Sequence, residues 1–159
     1  MRNVGTFCLV SLFSAFAFTA TYSGAGNYKT NAGDSGEYTV VATIEKTGEG
    51  SMNINQTINL ENKTLNTSTI LQKIDDTFFN VVDAESGNVV GDGYCWLLET
   101  AGDKICHSYA KKDDFVTEST IKIIGTTLHR VGSHKDRNTG EKITWKDRLV
   151  LQANCSCGG

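Results

Sequence analysis

Apolar and polar residues alternate along most of this chain, and short polar clusters break the alternation at regular intervals. A period of two puts successive side chains on opposite faces of a strand. In Glu37 to Lys46 the apolar set is Tyr38, Val40, Ala42 and Ile44. In Ser51 to Leu60 one face carries Met52, Ile54, Gln56, Ile58 and Leu60 against Asn, Thr and Ser on the other. Thr64 to Ile74 reads as a third strand, with a short helix over Ser68 to Lys73 as the alternative. Further strands follow at Thr77 to Val82, from Val89 onward, at Phe115 to Ile124, and from Thr126 to Val131. The last, Glu141 to Leu151, has Ile143, Trp145, Leu149 and Leu151 on one face, interrupted by Asp147. Thr47-Gly48-Glu49-Gly50, Glu61-Asn62-Lys63, Lys111 to Asp114 and Asp136 to Gly140 are turn clusters.

The most informative stretch is Gly93 to Tyr109, two apolar runs joined by Glu99 to Asp103. Closing the turn over Glu99 to Gly102 pairs Leu98 with Asp103. Trp96 then faces Ile105, Cys95 faces Cys106, and Tyr94 faces His107. Tyr94, Trp96, Ile105, His107 and Tyr109 share one face, and Cys95, Leu97, Cys106 and Ser108 the other. Opposed residues at a non-hydrogen-bonded pair come close enough for a disulfide, so a Cys95–Cys106 bond is expected. A slip of one residue would move every side chain to the other face. Gly91 and Gly93 flank Asp92, which suggests a bulge or a close backbone approach.

Eight or nine short antiparallel strands joined as hairpins make a sandwich or an up-and-down barrel. A meander favours the barrel, because closure removes the edges that a chain without proline leaves open.

Residues 1–25 have the form of a signal peptide: Arg2, then the apolar run Thr6 to Phe18, with small-residue cleavage positions after Ala17 or Ala25. The run is too short to span a bilayer as a helix, so no membrane span is expected in the mature chain. Residues 26–36, rich in Gly, Ser and Asn, read as a flexible leader, 37–153 as the barrel domain, and 154–159 as a cysteine-containing tail. The expected location is exported, periplasmic or secreted. Cys8 leaves with the signal, and Cys95, Cys106, Cys155 and Cys157 remain for disulfides. The partners of Cys155 and Cys157 stay open. A zinc site of all four thiolates is the alternative, and its spacing fits poorly.

A formal charge of −3 gives no ground for a nucleic-acid partner. No nucleophile elbow, phosphate loop, HExxH or paired-carboxylate pattern appears. The chain therefore reads as a non-enzyme without a cofactor or a metal. Arg130 and Arg148 interrupt apolar strands and are read as outward charges, with an anionic head-group contact as the alternative. His134 is placed on a surface loop, and His107 among the aromatics. Asn55, Asn62, Asn66 and Asn154 fit the glycosylation pattern.

The strand order, the glycine-flanked aromatic hairpin, Leu128 to Ser133 and the late Trp145 strand together resemble the calycin group, the small meander barrels that include lipocalins and fatty-acid-binding proteins. The resemblance spans residues 36–151 at the level of architecture. The Gly-x-Trp of lipocalins is missing, so no ligand residues are carried over. A barrel of about eight strands holds one small ligand. The chain is thus expected to bind an apolar or amphipathic molecule in a cavity lined by Tyr94, Trp96, His107 and Trp145. The competing expectation is a surface interaction protein, an inhibitor or envelope factor, with a filled core and an exposed apolar patch.

Overall fold

A computed structural model describes residues 19–48, 50–97 and 103–152. They form ten strands: β1 (Thr19–Thr30), β2 (Ser35–Lys46), β3 (Ser51–Leu60), β4 (Lys63–Lys73), β5 (Phe78–Asp83), β6 (Val89–Leu97), β7 (Lys104–Lys112), β8 (Phe115–Ile124), β9 (Thr127–Asp136) and β10 (Lys142–Leu151). Each strand pairs antiparallel with the next, and β1 pairs with both β2 and β10. The result is a closed up-and-down barrel. The two-residue turns use left-handed backbone where they must: Gly125 has φ 54° and Asp113 φ 52°. The segment Ser68 to Lys73 is strand throughout, within β4.

The first strand corrects the sequence reading. Residues 26–36 are not a leader: β1 runs from Thr19 and closes the barrel. Its period of two is Ala20, Tyr22, Gly24, Gly26, Tyr28, and two of those inward positions are glycine. A Cβ at Gly24 would fall onto the Arg148 carbonyl of β10, and one at Gly26 would lie 2.7 Å from the Tyr38 ring. The residues that made the segment look like coil are those that let β1 pack tightly between its neighbours.

Following lateral partners from Asn59 through Thr39, Ala25, Arg148, His129 and Lys122 to Ile105 and Trp96 leads from near the end of β3 to near the end of β6. That path joins opposite mouths, as tilted strands in a closed barrel require. One mouth is formed where β2, β4 and β6 end. The other is formed by the end of β1, the Leu60–Lys63 turn, and the Lys112–Phe115 turn.

The core sits inside the wall of β1, β2, β8, β9 and β10. Leu149 is fully buried, and Ala20, Tyr22, Val40, Ala42, Ile123 and Leu128 surround it. Outside, β3 and β4 carry a polar ladder: Thr57 donates to Asn66 and Thr64 to Asn59, each at 3.0 Å, and Ser68 to Asn55 at 2.7 Å. Among the described residues no helix is long and apolar enough to cross a membrane.

Candidate functional site

The hairpin register agrees with the sequence reading residue for residue. Trp96 pairs with Ile105, Cys95 with Cys106, and Tyr94 with His107. Cys95 and Cys106 are disulfide-bonded. The Cys95 amide donates to the Thr77 carbonyl, just before β5 on the other side, at 2.8 Å. Toward β7 the cysteines are therefore a non-hydrogen-bonded pair, the spacing a disulfide needs. Residues 98–102 of the turn, Cys155 and Cys157 lie outside the described residues.

The faces of the hairpin are the reverse of the expectation. The disulfide lies on the lumen side, in register with buried Ile123 and Leu128 through Ile121 and Arg130. Tyr94, Trp96 and His107 lie on the outer side, and of the four expected cavity residues only Trp145 faces inward. The reason is bulk arriving from a neighbouring strand. Phe79 of β5 is only 3% exposed, and its ring occupies the place a Cβ at Gly93 would take. Gly91 likewise has no room for a Cβ beside the Tyr109 carbonyl. The small face of the hairpin turns inward because another strand fills it. The register shifts where Val81 pairs with Gly91 and Val82 with Val89, so the extra residue is Val90 of β6, next to Gly91.

On the outer face Tyr94 and Trp96 stack at 5.0 Å with 13° between ring planes. Phe78 meets Tyr94 edge-on at 6.4 Å. His107 tilts against Tyr94 at 5.6 Å, and its Nδ1 shares a hydrogen bond with Thr120 Oγ1.

Inside, the centre of the lumen is crossed by a polar network. Arg130 of β9 binds Asp147 of β10 with both arms of its guanidinium, Nε to Oδ1 and Nη2 to Oδ2, each at 2.7 Å. Tyr38 of β2 donates its hydroxyl to Asp147 Oδ2 at 2.8 Å. Arg130 Nη1 donates to Gln56 of β3, and the guanidinium lies over the Trp145 ring at 5.8 Å. Burial first, and then the Asp147 carboxylate, push the Tyr38 phenol well above its ordinary range. Arg130 is thus not an outward charge; Arg148 is exposed, as expected. Asp147 interrupts an apolar face because it answers Arg130. A sequence signal existed: each breaks an inward apolar run, and their strands are neighbours.

Toward the mouth where β2 ends, the apolar residues around Leu149 form a belt. Toward the other mouth, His134 is inward and not on a loop. Its Nδ1 lies 2.8 Å from Thr117 Oγ1, and its ring stacks on Phe115 at 4.8 Å. Lys112 there bridges Asp83 at 2.8 Å and Glu85 at 3.3 Å. The Lys112 ammonium and then the Ser86 hydroxyl hold the Asp83 carboxyl down at about 2.

The inward side chains are not uniformly buried, although Ile44, Ile121 and Trp145 pack against the buried cluster. Ile44, Ile54, Leu71, Ile121 and Trp145 face inward yet are only half-buried, and Thr67, also inward, is exposed. One cause is visible in the pairing: β4 meets β5 only through Thr69–Lys73, so the first half of β4 has a partner on one side only. An open hollow of about 540 Å³ lies against residues 25–27, 37–39 and 59–61, and none of the four expected ligand residues lines it. Among the described residues no cluster of three or more His, Cys, Asp or Glu side chains is arranged to hold a metal.

The solved structures now give the architecture its context. An S-type phycobiliprotein lyase, CPES from Guillardia theta, superposes with a TM-score of 0.63 at 13% identity, over 84% of this chain and 88% of that one. The fold is calycin-like. Rv2717c from M. tuberculosis matches this calycin-like barrel at a TM-score of 0.55 and 11% identity, over 83% of this chain and 91% of that one. At these identities the likeness shows the fold alone. No protein-family model and no curated protein sequence matches the chain.

Proposed function

We propose that this calycin-like barrel is an exported, non-enzymatic carrier that holds a small apolar or amphipathic ligand in its lumen. The observation that carries this reading is the inner wall: aliphatic side chains that face inward and still keep accessible surface. A solid core would bury them; an open apolar lumen is what ligand-holding barrels offer. Export is supported by the Cys95–Cys106 disulfide, which belongs in an oxidising compartment, and by the apolar run before β1. Of the two cleavage positions, the one after Ala17 leaves β1 whole, whereas cleavage after Ala25 removes its first half. The test is the intact mass of the exported chain under native and then denaturing conditions. A mass difference from a released small molecule, with the mature chain beginning at Phe18, supports the carrier. A ligand-free barrel that takes up no apolar probe refutes it.

The outer aromatic strip supports a second reading, a surface for a protein partner. Phe78, Tyr94 and Trp96 are exposed on one continuous face while β3 and β4 present a polar ladder. Under this reading Tyr94→Ala with Trp96→Ala abolishes partner capture and leaves uptake of an apolar probe unchanged.

A further inference from the structure

Lys46 is the last residue of β2. The alternation through Val40, Ala42 and Ile44 carries it onto the inner face, where it pairs with buried Met52. It is only 6% exposed, and among the described residues its Nζ has no hydrogen-bond partner. A lysine at a rim ordinarily lays its stem on apolar surface and keeps the ammonium in water. Lys46 does not, and a buried ammonium without a partner adds nothing to stability. Lys104 reaches the same mouth from the opposite wall: it opens β7 and pairs with Ile123 on the inner face. Burial lowers the pKa of its ammonium. Lys73, at the end of β4, is also inward at this mouth, and Asp76 engages it at 2.6 Å.

Beneath these cations lies the apolar belt, and beneath the belt the Arg130–Asp147 pair, whose charges already answer one another. The order from the mouth inward is therefore cation, then aliphatic wall. That is the complement of an amphiphile with an anionic head.

We propose that Lys46, assisted by Lys104, receives the anionic oxygen head group of an amphiphile whose tail lies along Ile44, Ile54 and Leu71. The head group supplies the partner that Lys46 lacks among the described residues. Four rotatable bonds let its ammonium meet the anion without displacing β2. The inference rests on the lumen-carrier reading and deepens it by fixing the sign and the end of the ligand's charge.

The test is calorimetric titration of the full exported chain with dodecanoate, dodecyl phosphate and dodecanol. A charge-assisted contact predicts that one or both anions bind at least about tenfold more tightly than the alcohol. Lys46→Met removes that excess and leaves dodecanol binding as it was, while Lys46→Arg keeps it. The two anions separate a carboxylate head from a phosphate head. Lys46→Gln serves where the methionine variant fails to fold, with far-UV circular dichroism and the disulfide-linked mass as the check. Equal affinity for charged and neutral probes overturns the proposal, as does a preference that survives in Lys46→Met/Lys104→Met. Failure of all three probes to bind refutes the lumen carrier itself.

Discussion

Arg130 and Lys46 both extend from the wall of the barrel toward its lumen, and both are more than nine-tenths buried. Arg130 is met by two oxygens of Asp147 and by Gln56, while the Tyr38 hydroxyl caps the same carboxylate. For Lys46 Nζ no described residue does the same. The chain thus handles two interior cations differently. One is closed into a network that ties β2, β3, β9 and β10 together across the lumen. The other is answered by none of the described residues. A satisfied buried charge speaks for architecture and an unsatisfied one for function, because a buried ion is tolerated only when something compensates it.

The comparison breaks most visibly at Asp147. Asp147→Asn or Arg130→Met leaves its partner charged and buried, and each is expected to cost about 3–5 kcal/mol in urea unfolding. Replacing both with apolar residues of similar volume restores most of that loss. The disulfide beside the Lys46 mouth comes next. Cys95→Ala/Cys106→Ala is expected to lower stability by about 2–3 kcal/mol, read as the shift of the urea midpoint at constant slope. Tyr38→Phe, which removes one donor from Asp147, should lose about 1–2 kcal/mol in the same measurement. Lys46→Met sharpens the contrast, since among the described residues its ammonium has no hydrogen bond to lose. Its stability should stay level or rise by up to about 1 kcal/mol, even as the excess affinity for an anionic amphiphile is lost.

The smallest effect lies at the opposite mouth. Asp83 has its folded pKa lowered to about 2 by Lys112 and Ser86. A depressed carboxyl contributes stability above its unfolded pKa, near 4, and that contribution disappears as pH falls through the folded value. The urea midpoint of the native chain should therefore fall between pH 4 and pH 2 more than that of Asp83→Asn. Parallel curves for the two chains would contradict the assignment.

Much of the barrel was legible in the sequence. The period of two gave eight or nine of the ten strands, and the hairpin register followed from turn length and the two cysteines. Alternation alone could not tell inside from outside at the hairpin, where one face was aromatic and the other small. Bulk from Phe79, on the neighbouring strand β5, settled it. It also could not see β1, whose inward positions are partly glycine. The candidate site was hidden for a related reason. Lys46 closes a regular alternation and looks like a strand-end charge until burial shows its ammonium out of water. Arg130 looked like a solvent charge and Asp147 like a break in an apolar face, and only lateral register brings them face to face.

The chain has two tryptophans, Trp145 on the lumen wall and Trp96 on the outer strip. Trp96→Phe therefore leaves one emitter inside, and Trp145→Phe leaves one outside. Titrating both variants with a brominated dodecanoate, a contact quencher, tests where the ligand goes. A ligand held in the lumen quenches Trp145 in a saturable way and leaves Trp96 bright. Quenching of Trp96 alone would contradict the lumen and transfer the binding surface to the outer aromatic strip.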